Sequence, residues 1–111
     1  MNNLAWSLNQ LKDPRAVQLA EQAYGLVPKA AAVVDTLGQI VLDSGNEDRG
    51  LELLKQAAEF APKAPVFRLH YAEALARVGD RDGARRELET VLRQFPTSPQ
   101  ADLARDVAAK L

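Results

Sequence analysis

Apolar residues recur at steps of three and four along most of the chain. Val34, Leu37 and Val41 form one such run, and Leu51, Leu54, Ala57, Ala58 and Ala61 the next. Leu69, Ala72, Leu75 and Ala76, then Ala84, Leu88, Val91, Leu92 and Phe95, continue the habit. That step gathers each set on one face of an α-helix. Alternation of period two is absent, so no strand is expected. Stop and start signals fall between the runs. Ser44-Gly45-Asn46 and Val78-Gly79-Asp80 each offer a glycine for the left-handed end of one helix, then an Asn or Asp to cap the next. Glu47 and Asp48 follow the first of these caps, where the helix dipole favours negative charge. Pro28, Pro62 and Pro96 close helices, whereas Pro65 and Pro99 open them, where a missing N–H costs nothing. The pattern predicts seven helices, over 2–11, 14–26, 30–43, 47–60, 65–78, 81–94 and 99–110.

The same signals repeat. Pro28, Pro62 and Pro96 are spaced 34 residues apart, and the step also relates Gly45 to Gly79, Asn46 to Asp80, Leu54 to Leu88 and Leu37 to Tyr71. A period shared by turn residues and apolar residues marks an array of structural repeats. Small residues Ala5, Gly38 and Ala72 hold one slot, where two helices approach closest, and Ala16, Gly50 and Ala84 hold a second. The first repeat departs in one respect: Leu4 to Ala16 spans 12 residues, whereas Leu37 to Gly50 and Tyr71 to Ala84 span 13. Its turn, Lys12-Asp13-Pro14, still offers Asp13 as cap and Pro14 as first helical residue.

These residues resemble the tetratricopeptide repeat pattern, W-x-x-L-G-x-x-Y, then A-x-x-x-F, then P, over 34 residues. The middle period carries Val34, Leu37, Gly38 and Val41, then Gly50, Leu54 and Pro62. The next carries Arg68, Tyr71, Ala72 and Leu75, then Ala84, Leu88 and Pro96. The first carries Leu4, Ala5 and Leu8, then Ala16, Ala20 and Pro28. Val and Leu replace most of the large aromatics. The resemblance implies an all-α fold, a right-handed α-α superhelix of three helix pairs and a C-terminal capping helix. It forms a single domain, with repeats over about 1–30, 31–64 and 65–98 and the cap over about 99–111. In the cap, Ala101, Ala104, Ala108 and Leu111 are expected to cover the last repeat, with Asp102, Arg105 and Lys110 facing water. The first helix lacks its opening turn, which reads as the cut edge of a longer array. Leu4, Trp6, Leu8 and Leu11 are then apolar residues short of cover, and the expectation is either self-association through this helix or that it is the most mobile part. Asn2-Asn3-Leu4-Ala5-Trp6 further resembles repeats of bacterial exported lipoproteins of the exosortase-associated kind. That would imply a periplasmic or cell-envelope location, as against the cytoplasm.

Composition removes other classes of function. With 47% apolar residues the chain can bury a core, and 14 basic against 15 acidic side chains leave no positive field for nucleic acid or anionic lipid. The absence of cysteine excludes a disulfide framework, a thiolate metal site and a cysteine nucleophile, and the lone His70 excludes a multi-histidine centre. The longest apolar run, 30–34, is five residues, so membrane insertion is not expected. Neither phosphate-binding glycine motif occurs. A Ser-His-Asp arrangement would need His70 beside Ser7, Ser44 or Ser98; the latter two are turn and cap residues. Asp43-Ser44-Gly45-Asn46-Glu47-Asp48 mimics a calcium loop but has Asp48 where the loop needs glycine. Arg77, Arg81, Arg85 and Arg86 read as a solvated face, with Arg85–Glu89 and Asp82–Arg86 at ion-pair spacing. No enzyme activity, cofactor or metal is expected.

In this family the first helix of each pair lines a concave groove that binds a protein or peptide. By that resemblance the lining comprises Asn2, Asn3, Trp6, Asn9 and Gln10 in the first repeat. In the second it is Ala32, Asp35, Thr36, Gln39 and Asp43, and in the third Val66, Leu69, His70, Glu73 and Arg77. Amides, carboxylates and a few apolar groups suit an extended peptide or a helix. Trp6 fits equally a groove anchor or a residue packed on a neighbouring repeat, and His70 a bystander before a pH sensor. Chaperone-binding members clamp a terminal carboxylate with lysine and arginine; those positions hold Asn2, Trp6, Thr36, Val66 and His70 here, which argues against that role. A purely structural segment without a ligand is the alternative.

Overall fold

The computed structural model describes the backbone of residues 2–111 and the side chains of residues 4–111. Among the described residues there are seven helices and no strand: α1 (Asn2–Gln10), α2 (Arg15–Leu26), α3 (Ala31–Asp43), α4 (Glu47–Phe60), α5 (Pro65–Arg77), α6 (Arg81–Gln94) and α7 (Pro99–Ala109). Every end lies within one residue of its expected position. The caps account for this. Asn46 and Asp80 accept from the backbone N–H groups of Arg49 and Gly83, and Ser98 accepts from that of Ala101. Pro65 and Pro99 begin α5 and α7, where no N–H is needed.

All three turns within the pairs close in the same way. Gly45 and Gly79 take positive φ, 101° and 93°, and the next residue donates its N–H back to Val41 or Leu75. In the first repeat Lys12 holds this place with φ 57°, and Asp13 donates to the Leu8 carbonyl. The missing residue is therefore taken from the start of α2. The Asp13 carbonyl accepts from Ala16, three residues on, whereas those of Asn46 and Asp80 accept from Gly50 and Ala84, four residues on. The Asp13 carboxylate accepts from the Arg15 N–H, as a cap should.

The helices pack as successive antiparallel pairs, α1 with α2, α3 with α4 and α5 with α6, and α7 lies on α5 and α6. Backbone contact runs unbroken along α1, α3, α5 and α7. Among the described residues α2, α4 and α6 do not approach one another in this way. A stack whose odd helices touch and whose even helices stand apart bends with the odd row inside, so α1, α3 and α5 form the concave side.

The apolar faces meet in three clusters. Ala5, Leu8, Ala16, Val34, Leu37 and Leu53 join the first two pairs. Leu42, Leu54 and Ala74 join the second pair to α5, and Leu69, Ala72, Leu88, Val91 and Ala104 join the third pair to α7. The cap is covered through Ala101 and Ala104 as expected, but Ala108 is exposed and Val107 packs in its stead. Arg85 departs from expectation as well. It reaches Asp82 and the Leu111 carbonyl, not Glu89, and so ties the end of the cap to α6.

Candidate functional site

The inner face is built from equivalent positions on α1, α3 and α5. Two hydrogen-bonded groups cross it. Near the middle, the Asp35 carboxylate on α3 lies 3.0 Å from His70 Nδ1 on α5 through either oxygen, and accepts from Gln39 Nε2 at 2.7 Å. Asp35 is only 5% exposed, so these two donors stand in for the water its oxygens have lost. Toward the helix C-termini, Asp43 accepts from Asn9 Nδ2 at 2.8 Å and from Arg77 Nη1 at 2.6 Å. That carboxylate thus links all three inner helices. Between α3 and α5 lies a depression of about 150 Å³, with Leu42, Leu54 and Ala74 at its base and Gln39, Asp43, His70, Glu73 and Arg77 around it.

Asn9, Gln39, Asp43, His70, Glu73 and Arg77 are therefore brought to one surface. Gln10 is exposed beside them on α1. Trp6, 38% exposed, shares a helical stripe with Asn9 and Gln10. The expected apolar edge of Leu4, Trp6, Leu8 and Leu11 is not a single surface. Leu8 is buried, and a separate depression at the outer side of α1 and α2 is lined by Leu4, Leu8 and Leu19 without Trp6. The side chains of Asn2 and Asn3 lie outside the described residues.

Three expected lining residues point elsewhere. Leu69 is 2% exposed and packs with Ala72 and Leu88 in the core. Thr36 is buried, with its hydroxyl donating to the Ala32 carbonyl, and Asp35 is buried behind His70. The reason is geometric. Positions 35, 69 and 103 are equivalent, and the first two face the next inner helix rather than the open groove. α5 covers Asp35 and α7 covers Leu69, whereas Leu103, on α7 itself, is 52% exposed.

Besides the His70–Asp35 and Arg77–Asp43 pairs of the inner face, two further cross-helix ion pairs escaped the sequence reading. Arg49 donates from Nη1 and Nη2 to Glu21, at 2.9 and 2.7 Å, joining α4 to α2. Arg68 pairs with Glu87 at 2.6 Å, joining α5 to α6. Their separations of 28 and 19 residues match no local helical spacing, so no sequence signal marked them.

Electrostatics single out His70. The Asp35 carboxylate, by accepting its Nδ1 proton, holds the imidazole above its ordinary pKa; burial works against this, and Glu73 adds a smaller push upward. The sign follows. A pKa raised on folding stabilises the fold fully below the unfolded value, about 6.5, and the gain is lost as pH rises through the folded value. Urea midpoints of the native chain should therefore fall as pH rises above about 6.5, relative to those of His70→Gln. Parallel profiles for the two proteins would show that the pair makes no contribution.

A model of the tetratricopeptide repeat family matches residues 41–107, more than half of the chain, and the chain belongs to that family. Repeats of this family are in general non-catalytic protein-interaction modules. No curated protein matches the chain. Among the described residues no helix is long and apolar enough to cross a membrane, and no group of three or more potential metal-ligating side chains occurs.

Proposed function

We propose that the chain is a non-catalytic scaffold that binds an extended peptide or a helix of a partner protein along α1, α3 and α5. The observation that supports this most is the depression between α3 and α5, where an apolar base lies beside accessible polar groups. Amides and carboxylates at that rim suit the hydrogen-bonding groups of an extended segment, and Trp6 adds the kind of aromatic surface that anchors interfaces. Panning a random-peptide display library against the chain tests the reading. Recovered binders should be weakened by Trp6→Ala and by Gln39→Ala and should tolerate Leu4→Ser on the outer side of α1. Binders that ignore the first two changes and are lost with the third would overturn it.

A second reading, a segment that stabilises a longer array and holds no ligand of its own, draws on the other depression. That one measures about 340 Å³ and is lined by Leu4, Leu8 and Leu19 with Arg15, Gln18 and Gln22. A neighbouring repeat, or a second copy of the chain, is what such a surface would stack against. Failure to recover any peptide from the library would favour it.

A further inference from the structure

Resting on the interaction reading above, we propose that the depression between α3 and α5 is a subsite for one basic side chain, lysine or arginine, of the bound segment. Its volume of about 150 Å³ equals that of about five waters, which suits one long side chain and little more. Leu42, Leu54 and Ala74 at the base offer hydrocarbon for a methylene stem. The charge at the rim selects what the stem carries. Arg77 is already engaged with Asp43 at 2.6 Å. Glu73 is exposed and makes no ion pair among the described residues. With Asp35 behind His70, three carboxylates stand against Arg77 and His70, a net charge of −1 when His70 is protonated and −2 when it is neutral. The field favours a cation in either state, and an acidic side chain would meet Glu73 with like sign.

The test follows backbone amide shifts of the ¹⁵N-labelled chain during titration with the capped pentapeptides Ac-Ala-Ala-X-Ala-Ala-NH₂. X is lysine, norleucine or glutamate. The lysine peptide should give saturable shifts at Gln39, Asp43, Glu73 and Ala74. Norleucine keeps the stem and lacks the charge, so it should bind about two- to fivefold more weakly, the worth of one exposed ion pair. Glutamate should be weaker again. Glu73→Gln should shrink the difference between lysine and norleucine, with circular dichroism confirming that the variant is folded; an undiminished difference would also overturn the subsite. Norleucine or glutamate binding as tightly as lysine, or no saturable shift at these amides with any of the three, overturns the subsite. If display-selected binders remain sensitive to Trp6→Ala and Gln39→Ala in that event, the groove reading stands while this one falls.

Discussion

Leu54→Ala is expected to lower the unfolding free energy by about 2–5 kcal/mol, as deletion of a fully buried leucine side chain does. Against a total of about 5–15 kcal/mol for a domain of this size, that is a large share. Leu54 is fully buried where α3, α4 and α5 meet, beside Leu42 and Ala74. Both α3–α4 packing and the junction with the next repeat therefore lose contacts at once. Leu88, its equivalent one repeat on, joins α6 to Leu69 and Ala72 of α5 and to Ala104 of α7, and Leu88→Ala should cost a similar amount. Where the damage spreads distinguishes the two variants. Repeats touch mainly their neighbours, so Leu88→Ala should accelerate amide exchange in α7 well before α1 and α2. Urea denaturation reads the magnitude and hydrogen exchange the location. A native melting temperature in either variant would refute the role assigned to these leucines.

Gly50→Ala should destabilise the chain even though helix propensity alone would raise stability by about 1 kcal/mol. A Cβ at Gly50 would sit 2.9 Å from Leu42 Cβ, 3.0 Å from Leu42 Cα and 3.0 Å from the Gly38 carbonyl oxygen. None of these is the free end of a side chain, so only movement of α3 away from α4 relieves the overlap. Overpacking of this kind costs about 1–3 kcal/mol, enough to cancel or exceed the propensity gain. Ala72→Leu, in the slot equivalent to Gly38 on α5, adds three carbons to a fully buried site without any propensity gain and should show the larger loss. Thermal melts of both variants check the order. A Gly50→Ala protein more stable than the native chain would mean that α3 and α4 separate at little cost.

The helices and their pairing were legible because they rest on local chemistry that the repeat states three times. Asn46 and Asp80 cap where an Asn or Asp after a glycine should, and the small residues at 5, 38 and 72 mark the close approach of paired helices. The first turn was legible only in part. Its short spacing was visible, but nothing in Lys12 announces a left-handed residue; the closure shared with Gly45 and Gly79 imposes that conformation. The candidate site was less legible still. A helical stripe says which residues share a face, and says nothing of how far the next repeat rolls across it. Asp35 and Leu69 sit on the same stripe as accessible neighbours, yet the following inner helix covers each of them. Their burial is a property of the stacking of repeats, which no single helix encodes.

The unequal contact along the two rows gives the molecule one stiff edge and one compliant edge. Along the inner edge, backbone packing and the Asn9–Asp43–Arg77 links resist extension. Along the outer edge, α2 and α4 are joined by the Arg49–Glu21 pair, a strut of side chains across a gap between backbones. Such an array behaves as a leaf spring. Bending it would change the spacing of the outer helices most, and because Ala16 and Ala20 of α2 share a core cluster with Leu53 and Ala57 of α4, any change in curvature works against that cluster. Ionic strength screens the half-exposed strut more than the apolar seam, so added salt weakens the outer edge before the inner one.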